Sequence, residues 1–169
     1  VPYARDHGID QATSVLLLGL IGIGSTLGRF VVGSVADRFG RKRSLGLTFA
    51  GLGLSCLWWL ASDQIWQLAV FALVMGTCYG GFVALCPAVM ADYFGVRAVS
   101  GIVGALYTSV GIGTLIGPTL AGAAFDLWRS YAIPIGVSAG AALIAAAVVF
   151  AQQSPDAWRA RRKLALTKA

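Results

Sequence analysis

Arg29 has the clearest chemical potential in this sequence, because it stands inside a long apolar stretch. A guanidinium presents a planar fork of donors that matches a carboxylate in bidentate fashion. Ser25 lies one helical turn before it and Gly33 one turn after it, so a helix would place all three on one face. An unpaired arginine in hydrocarbon costs on the order of 2.5 kcal/mol or more, and such residues therefore usually line a polar path. We predict that Arg29 and Ser25 bind a small anion.

Arg29 also has a purely structural interpretation. It lies seven residues before Ala36, or about 10 Å from the end of the apolar stretch at 1.5 Å per residue. From that depth the side chain can snorkel to the interface and steady the helix. Tyrosines that could join an anion site are, equally, common packing residues with a satisfied hydroxyl. We expect hydroxyl donors from the neighbouring stretches at Thr77, Tyr79, Tyr107 and Thr108.

The elements that position these residues are apolar stretches of membrane-spanning length. Hydrophobic residues make up 57% of the chain and charged residues 12%, whereas globular domains are about half apolar and a quarter charged. Crossing a bilayer takes roughly 20 apolar residues in a helix. The sequence therefore predicts an all-α polytopic membrane bundle of about five transmembrane helices. The predicted bundle covers 11–153, with spans at about 12–36, 45–61, 65–90, 99–125 and 132–151.

The cations predict the orientation of these spans. With the loop after the first span in the cytoplasm, ten Lys and Arg residues lie on that side and two, Arg5 and Arg129, lie on the other. Such a bias is typical of cytoplasmic membrane loops and argues against nucleic acid as a partner. We therefore predict an extracytoplasmic loop at 1–10, with the N-terminus outside, and a basic cytoplasmic tail at 154–169. The predicted location is the bacterial cytoplasmic membrane.

Glycine is frequent within the spans, with 22 residues in the whole chain. Small residues four positions apart form a flat groove that lets two membrane helices approach closely. We expect most of these glycines to serve bundle packing, which a transporter and an inert bundle share. The pairs are Gly24 and Gly28, Gly76 and Gly80, Gly113 and Gly117, and Gly136 and Gly140.

The loop after the first span carries a recognisable pattern, Gly33-x3-Asp37-Arg38-x-Gly40-Arg41-Lys42-Arg43. It resembles the signature loop of the major facilitator superfamily at every position. Gly33 is expected to permit a close helix contact and Gly40 a tight turn. Asp37, near a helix end where the dipole disfavours it, needs a partner: Arg38, Arg41 or another helix N-terminus. The resemblance implies the last, in which the loop acts as a gate. The alternative is a simple topogenic basic loop.

In that superfamily twelve spans form two halves, and the signature loop can follow span two or span eight. This chain resembles spans eight to twelve, with span seven and the N-terminal half missing. The stretch Val1-Pro-Tyr-Ala-Arg, then Gly28-Arg29 and Tyr107-Thr108, is similar to the monocarboxylate and oxalate:formate branch. There, Arg29 falls on an arginine that binds the substrate anion. Monocarboxylate transporters carry an Asp where Ser25 stands, which puts proton coupling at this site in doubt. The oxalate branch has a lysine where Val110 stands, which favours a monoanion.

The prediction is a secondary active transporter that moves a small organic anion, a monocarboxylate, by alternating access. It is expected to be neither an enzyme nor dependent on a cofactor, because the spans hold no His, Glu or Asp. Its expected partners are the anion, the lipid bilayer and the other half of the same transporter. The alternatives are a drug or sugar carrier of the same superfamily and a non-transporting receptor or scaffold.

Overall fold

A computed structural model describes residues 10–62, 64–154 and 157–158. The predicted outer loop at 1–10 and basic tail at 154–169 lie almost entirely outside the described residues. Five helices occupy the described part. Four predicted spans fall within a helix, and the remaining one, 45–61, extends one residue past the end of its helix. They are α1 (Gln11–Phe39), α2 (Arg41–Leu60), α3 (Ile65–Phe94), α4 (Val96–Trp128) and α5 (Ala132–Ala151).

Four of the five helices, α1, α3, α4 and α5, are long and apolar enough to cross a membrane. The exception is α2, which was the shortest predicted span and which opens on Arg41, Lys42 and Arg43. Large apolar side chains project outward along the bundle, among them Phe30 at 73% and Leu115 at 77% exposed. Exposing so much apolar surface to water would be unfavourable, whereas lipid tails solvate it. The chain is therefore an integral membrane protein.

Two single glycines make the sharp connections at one end of the bundle. Gly40 lies between α1 and α2 with φ +95°, and Gly95 lies between α3 and α4 with φ +80°. This left-handed region is open to glycine without steric cost, so no longer loop is needed. The tight turn predicted at Gly40 is confirmed. We call this end, where α1 and α3 finish and α2 and α4 begin, the Gly40 end.

The two glycine pairs of α1 and α3 form one close seam. A methyl group at Gly24 would lie 2.6 Å from the carbonyl oxygen of Leu73, and one at Gly28 would overlap the backbone of Thr77. On the other side of the seam, a methyl group at Gly80 would overlap the backbone of Ser25. Backbone thus meets backbone, which is the packing that small residues permit in membranes. The predicted role of these pairs is confirmed.

The other predicted glycine contacts are absent from the described residues. Nothing lies within 4 Å of a methyl group placed at Gly33, Gly113, Gly117, Gly136 or Gly140. The expected close helix contact at Gly33 is therefore not made by the residues that the structure describes. For Gly113 and Gly117 the reason is that α4 buries none of its residues against the other described helices, so its groove stays open. Spacing indicates a groove but not whether a helix fills it.

The apolar core lies near the Gly40 end. It consists of Ala36, Leu45, Leu85 and Val89, which come from α1, α2 and α3. Nearby, the rings of Phe49 and Phe82 lie with centroids 5.3 Å apart. This cluster fixes the last turns of α1 and α3 against the first turn of α2, and so positions the charged residues of the signature loop.

Candidate functional site

Arg29 follows the seam glycine Gly28 on α1, and its side chain is exposed. Ser25, one turn earlier, is half-buried, and its backbone lies against Gly80 of α3. The seam therefore fixes the backbone on which both predicted anion ligands stand. Because α1 and α3 meet backbone to backbone, Arg29 and Ser25 stand on a closely packed pair of helices rather than on a loop.

The predicted hydroxyl donors come from α3 and α4. Tyr79 follows the seam residue Thr77 by two positions and is 44% exposed. The half-buried Tyr107 of α4 donates its hydroxyl to the carbonyl oxygen of Val83 at 3.4 Å. This long hydrogen bond joins α4 to α3, so Tyr107 has a structural task beside any role in binding.

Arg29, Tyr79 and Tyr107 stand beside one stretch of α3, because Gly28 meets the backbone of Thr77 and the hydroxyl of Tyr107 bonds to Val83. They belong to three helices, and α3 stands between the other two, since α1 and α4 make no contact among the described residues. The structure therefore brings a cation and two phenolic hydroxyls to one region of the bundle. A carboxylate there would find one charged partner in Arg29 and one neutral donor in the hydroxyl of Tyr79, while Tyr107 donates to Val83.

Thr108 is not joined to this group. Its hydroxyl donates to the carbonyl oxygen of Gly104 at 2.9 Å, within α4, and the residue is exposed. Thr77 likewise donates to Leu73 at 2.8 Å within α3. Each of these hydroxyls donates its hydrogen to a carbonyl oxygen of the preceding turn, so that hydrogen is already used within the helix. A role of Thr108 in binding stays a prediction.

The signature loop forms a three-residue ion network at the Gly40 end. Arg41 Nη2 lies 3.5 Å from Asp37 Oδ1, and Arg41 Nη1 lies 3.3 Å from Asp92 Oδ1. Of the partners expected for Asp37, the described residues thus supply Arg41, while Arg38 is exposed. Asp92 was not predicted as a site residue. Its signal was available, since it is a carboxylate at the end of the third span on the same side as the basic loop.

A second polar contact ties the end of α5 to this loop. Lys42 Nζ donates to the carbonyl oxygens of Phe150, at 3.3 Å, and of Gln152. The hydroxyl of Tyr93 donates to the carbonyl oxygen of Gln153 at 2.6 Å. Carbonyls at a helix C-terminus lack partners in the helix and attract cations. Residues 41–42 and 92–93 thus connect α2, α3 and α5, which the sequence did not indicate.

Comparison with known proteins places these features in a family. The chain is 30% identical over 154 residues to monocarboxylate transporter 12-B of Danio rerio, a match that covers 88% of this chain and 32% of that protein. It is 33% identical over 155 residues to monocarboxylate transporter 2 of Homo sapiens, covering 87% and 31%. The gallate transporter of Pseudomonas putida is 28% identical over 115 residues, covering 67% and 25%.

The chain spans about a third of the length of the first of these curated relatives. Their names describe transporters, and their organisms include animals and a bacterium. The family model of the Major Facilitator Superfamily matches residues 1–168. With its signature loop, its seamed apolar helices and this match over nearly all of its length, the chain belongs to the major facilitator superfamily.

Proposed function

We propose that this chain forms the C-terminal part, spans eight to twelve, of a secondary active transporter for a small organic monocarboxylate. The observation that carries the proposal is the exposed side chain of Arg29 on the α1–α3 seam, beside the stretch of α3 to which Tyr107 bonds. Transporters of this general architecture bind substrate near mid-membrane, where helices of two halves meet. Similarity to two monocarboxylate transporters and a gallate transporter supports the anion class.

The open faces of α1 and α4 support a partner that completes the pathway. Arg29 is exposed on α1, and α4 buries none of its residues within the described chain. A charge facing acyl tails is costly, whereas one facing a water-filled cleft is not. We propose that the other half of the same transporter covers these faces and leaves such a cleft between the halves. The chain's length of about a third of its relatives supports this arrangement.

Alternating access would then be a rocking of the two halves about the anion. The α1–α3 unit moves as one body, because its seam allows little relative displacement. The Gly40 end faces the cytoplasm in this proposal, as the distribution of cations favours. There the Asp37–Arg41–Asp92 network holds the ends of α1, α2 and α3 together and stabilises one of the two gate states.

Replacement of Arg29 tests the substrate role directly. The variants are Arg29→Gln and Arg29→Lys in the full-length transporter, reconstituted in liposomes and assayed by counterflow with a panel of carboxylates. Loss of a charged ligand to a bound carboxylate costs about 2–5 kcal/mol, so we expect Arg29→Gln to reduce uptake at least thirtyfold. Lys keeps the charge without the fork and should give an intermediate rate.

Arg129→Gln is the matched control, since Arg129 ends α4 at the opposite end of the bundle from the signature loop. It should transport normally. All three variants must also insert and purify like the parent protein, which separates binding from folding. Unchanged counterflow in Arg29→Gln would reject the anion site and leave the snorkelling interpretation of this arginine.

A further inference from the structure

A second feature of the bundle stands apart from the Arg29 region. An apolar cavity of about 750 Å³ opens at the Gly40 end among α2, α3, α4 and α5. Its wall includes Phe49, Phe82, Val89, Leu106 and Val149. Its volume falls within the range of cavities that hold organic ligands, about 300–1,000 Å³. No residue of α1 contributes to the lining, so the cavity is not the pathway proposed above.

The mouth of the cavity is polar and cationic. Lys42 and Tyr93 lie on its lining, together with Trp158 from beyond α5. The Lys42 ammonium donates to two carbonyl oxygens, and an ammonium has three N–H donors. The described residues of this end carry five cations against two carboxylates, Asp37 and Asp92. The cations are Arg38, Arg41, Lys42, Arg43 and Arg97.

An apolar pocket under a basic mouth matches an amphiphile with a negative head. We propose that this cavity binds an anionic phospholipid, with one acyl chain between α2, α3, α4 and α5 and the phosphate at Lys42. Basic pockets between membrane helices on the cytoplasmic side are suited to such headgroups. A small carboxylate would leave most of an apolar volume of 750 Å³ empty. Trp158 fits the mouth, because indole rings favour the headgroup level.

The selectivity of this site comes from the headgroup. An acyl chain is solvated as well by the bilayer as by an apolar cavity, so its entry alone gives little preference. The charge on Lys42 distinguishes an anionic lipid from a zwitterionic one. A bound lipid would lie beside the hydrogen bonds that Lys42 donates to the end of α5. Lipid binding would therefore be coupled to the arrangement of α2 and α5.

Native mass spectrometry of the full-length transporter tests the headgroup. Phosphatidylglycerol and phosphatidylcholine with the same acyl chains are titrated against the parent protein, Lys42→Gln and the control Arg129→Gln. A single lysine near an anionic headgroup contributes about fivefold in affinity. We expect Lys42→Gln to weaken phosphatidylglycerol binding by about that factor and to leave phosphatidylcholine unchanged. Equal binding of the two lipids by the parent protein overturns the proposal.

The position of the chain needs a separate measurement that does not depend on a variant's folding. Phosphatidylglycerol with a brominated acyl chain should quench Trp158 in the parent protein, and the quenched component should disappear in Trp158→Phe. Leu106→Trp, which fills the cavity, should lower phosphatidylglycerol retention. Quenching that is identical in the parent protein and Trp158→Phe overturns the placement. If phosphatidylglycerol is retained only after residues 159–169 are deleted, the chain's own C-terminal segment occupies the cavity. That result also overturns the proposal.

Discussion

At the residue scale, Arg41 is the cation shared by both ion pairs of the Gly40 end. Arg41 opens α2 and contacts Asp37 at the end of α1 and Asp92 at the end of α3. All three side chains are partly exposed, so each pairing contributes modestly, about 0.2–1 kcal/mol. The proposed gate needs contacts of this size, because a stronger ion pair would hold the proposed transporter in one state.

The Arg41–Asp92 pair predicts coupled effects. We expect Arg41→Gln and Asp92→Asn each to shift the balance of gate states by up to about 1 kcal/mol, and so to change the uptake rate by up to about fivefold. In the double variant the second change should add little, because the interaction is already lost. Uptake by the full-length transporter in liposomes measures all three variants.

Arg43→Gln supplies the control for that cycle, since Arg43 is an exposed cation of the same helical turn. It should leave uptake near the parent rate. Fully additive effects of Arg41→Gln and Asp92→Asn would show that the two residues act independently, and the network would then lose its proposed part in gating. The coupling between the two substitutions should also decrease at high salt, because salt screens exposed charges.

At the element scale, the α1–α3 seam is the most extensive helix contact among the described residues. We predict that Gly28→Ala destabilises the full-length protein by about 1–3 kcal/mol, as overpacking does, because the added methyl would meet the backbone of Thr77. Gly19→Ala is the matched control on the same helix, with open space around it. It should be neutral or slightly stabilising. Thermal unfolding in detergent compares the two, and equal midpoints would contradict the seam.

The helices themselves were predictable from the sequence, and the bounds 132–151 match α5, while several other ends and the contacts were not predicted. The predicted span 65–90 became α3 through Phe94, and 99–125 became α4 from Val96 to Trp128. Charged residues such as Asp92 and Arg97 marked the limits of the apolar stretches. Backbone hydrogen bonding nevertheless continues beyond those stretches, so the helices extend into the polar layer.

Glycine spacing carried less information than it suggested. Four pairs with the same spacing were expected to pack, yet only those of α1 and α3 do so within the described chain. The difference lies in which helices are neighbours, and that is a property of the whole bundle. For the same reason the sequence identified Arg29, Tyr79 and Tyr107 singly, but not the bonding of Tyr107 to Val83 or the bridge from Arg41 to Asp92.

At the scale of the whole molecule, the orientation in the membrane governs the mechanism. The signature loop can act as a cytoplasmic gate only if the Gly40 end lies inside and the connection between α4 and α5 lies outside. The cation count favours that orientation. An inverted chain would place the ion network on the outer surface and expose most of the basic residues to the wrong side of the membrane potential.

Single cysteines decide this orientation. The free residues Cys56, Cys78 and Cys86 are first replaced by alanine in the full-length transporter. In that background we expect Ser130→Cys, between α4 and α5, to react with a membrane-impermeant maleimide added to intact cells. Arg43→Cys, in the first turn of α2, should react only after permeabilisation, because the reagent cannot cross the bilayer. The reverse pattern would place the Gly40 end outside, and the gate would then have to close the opposite face of the transporter.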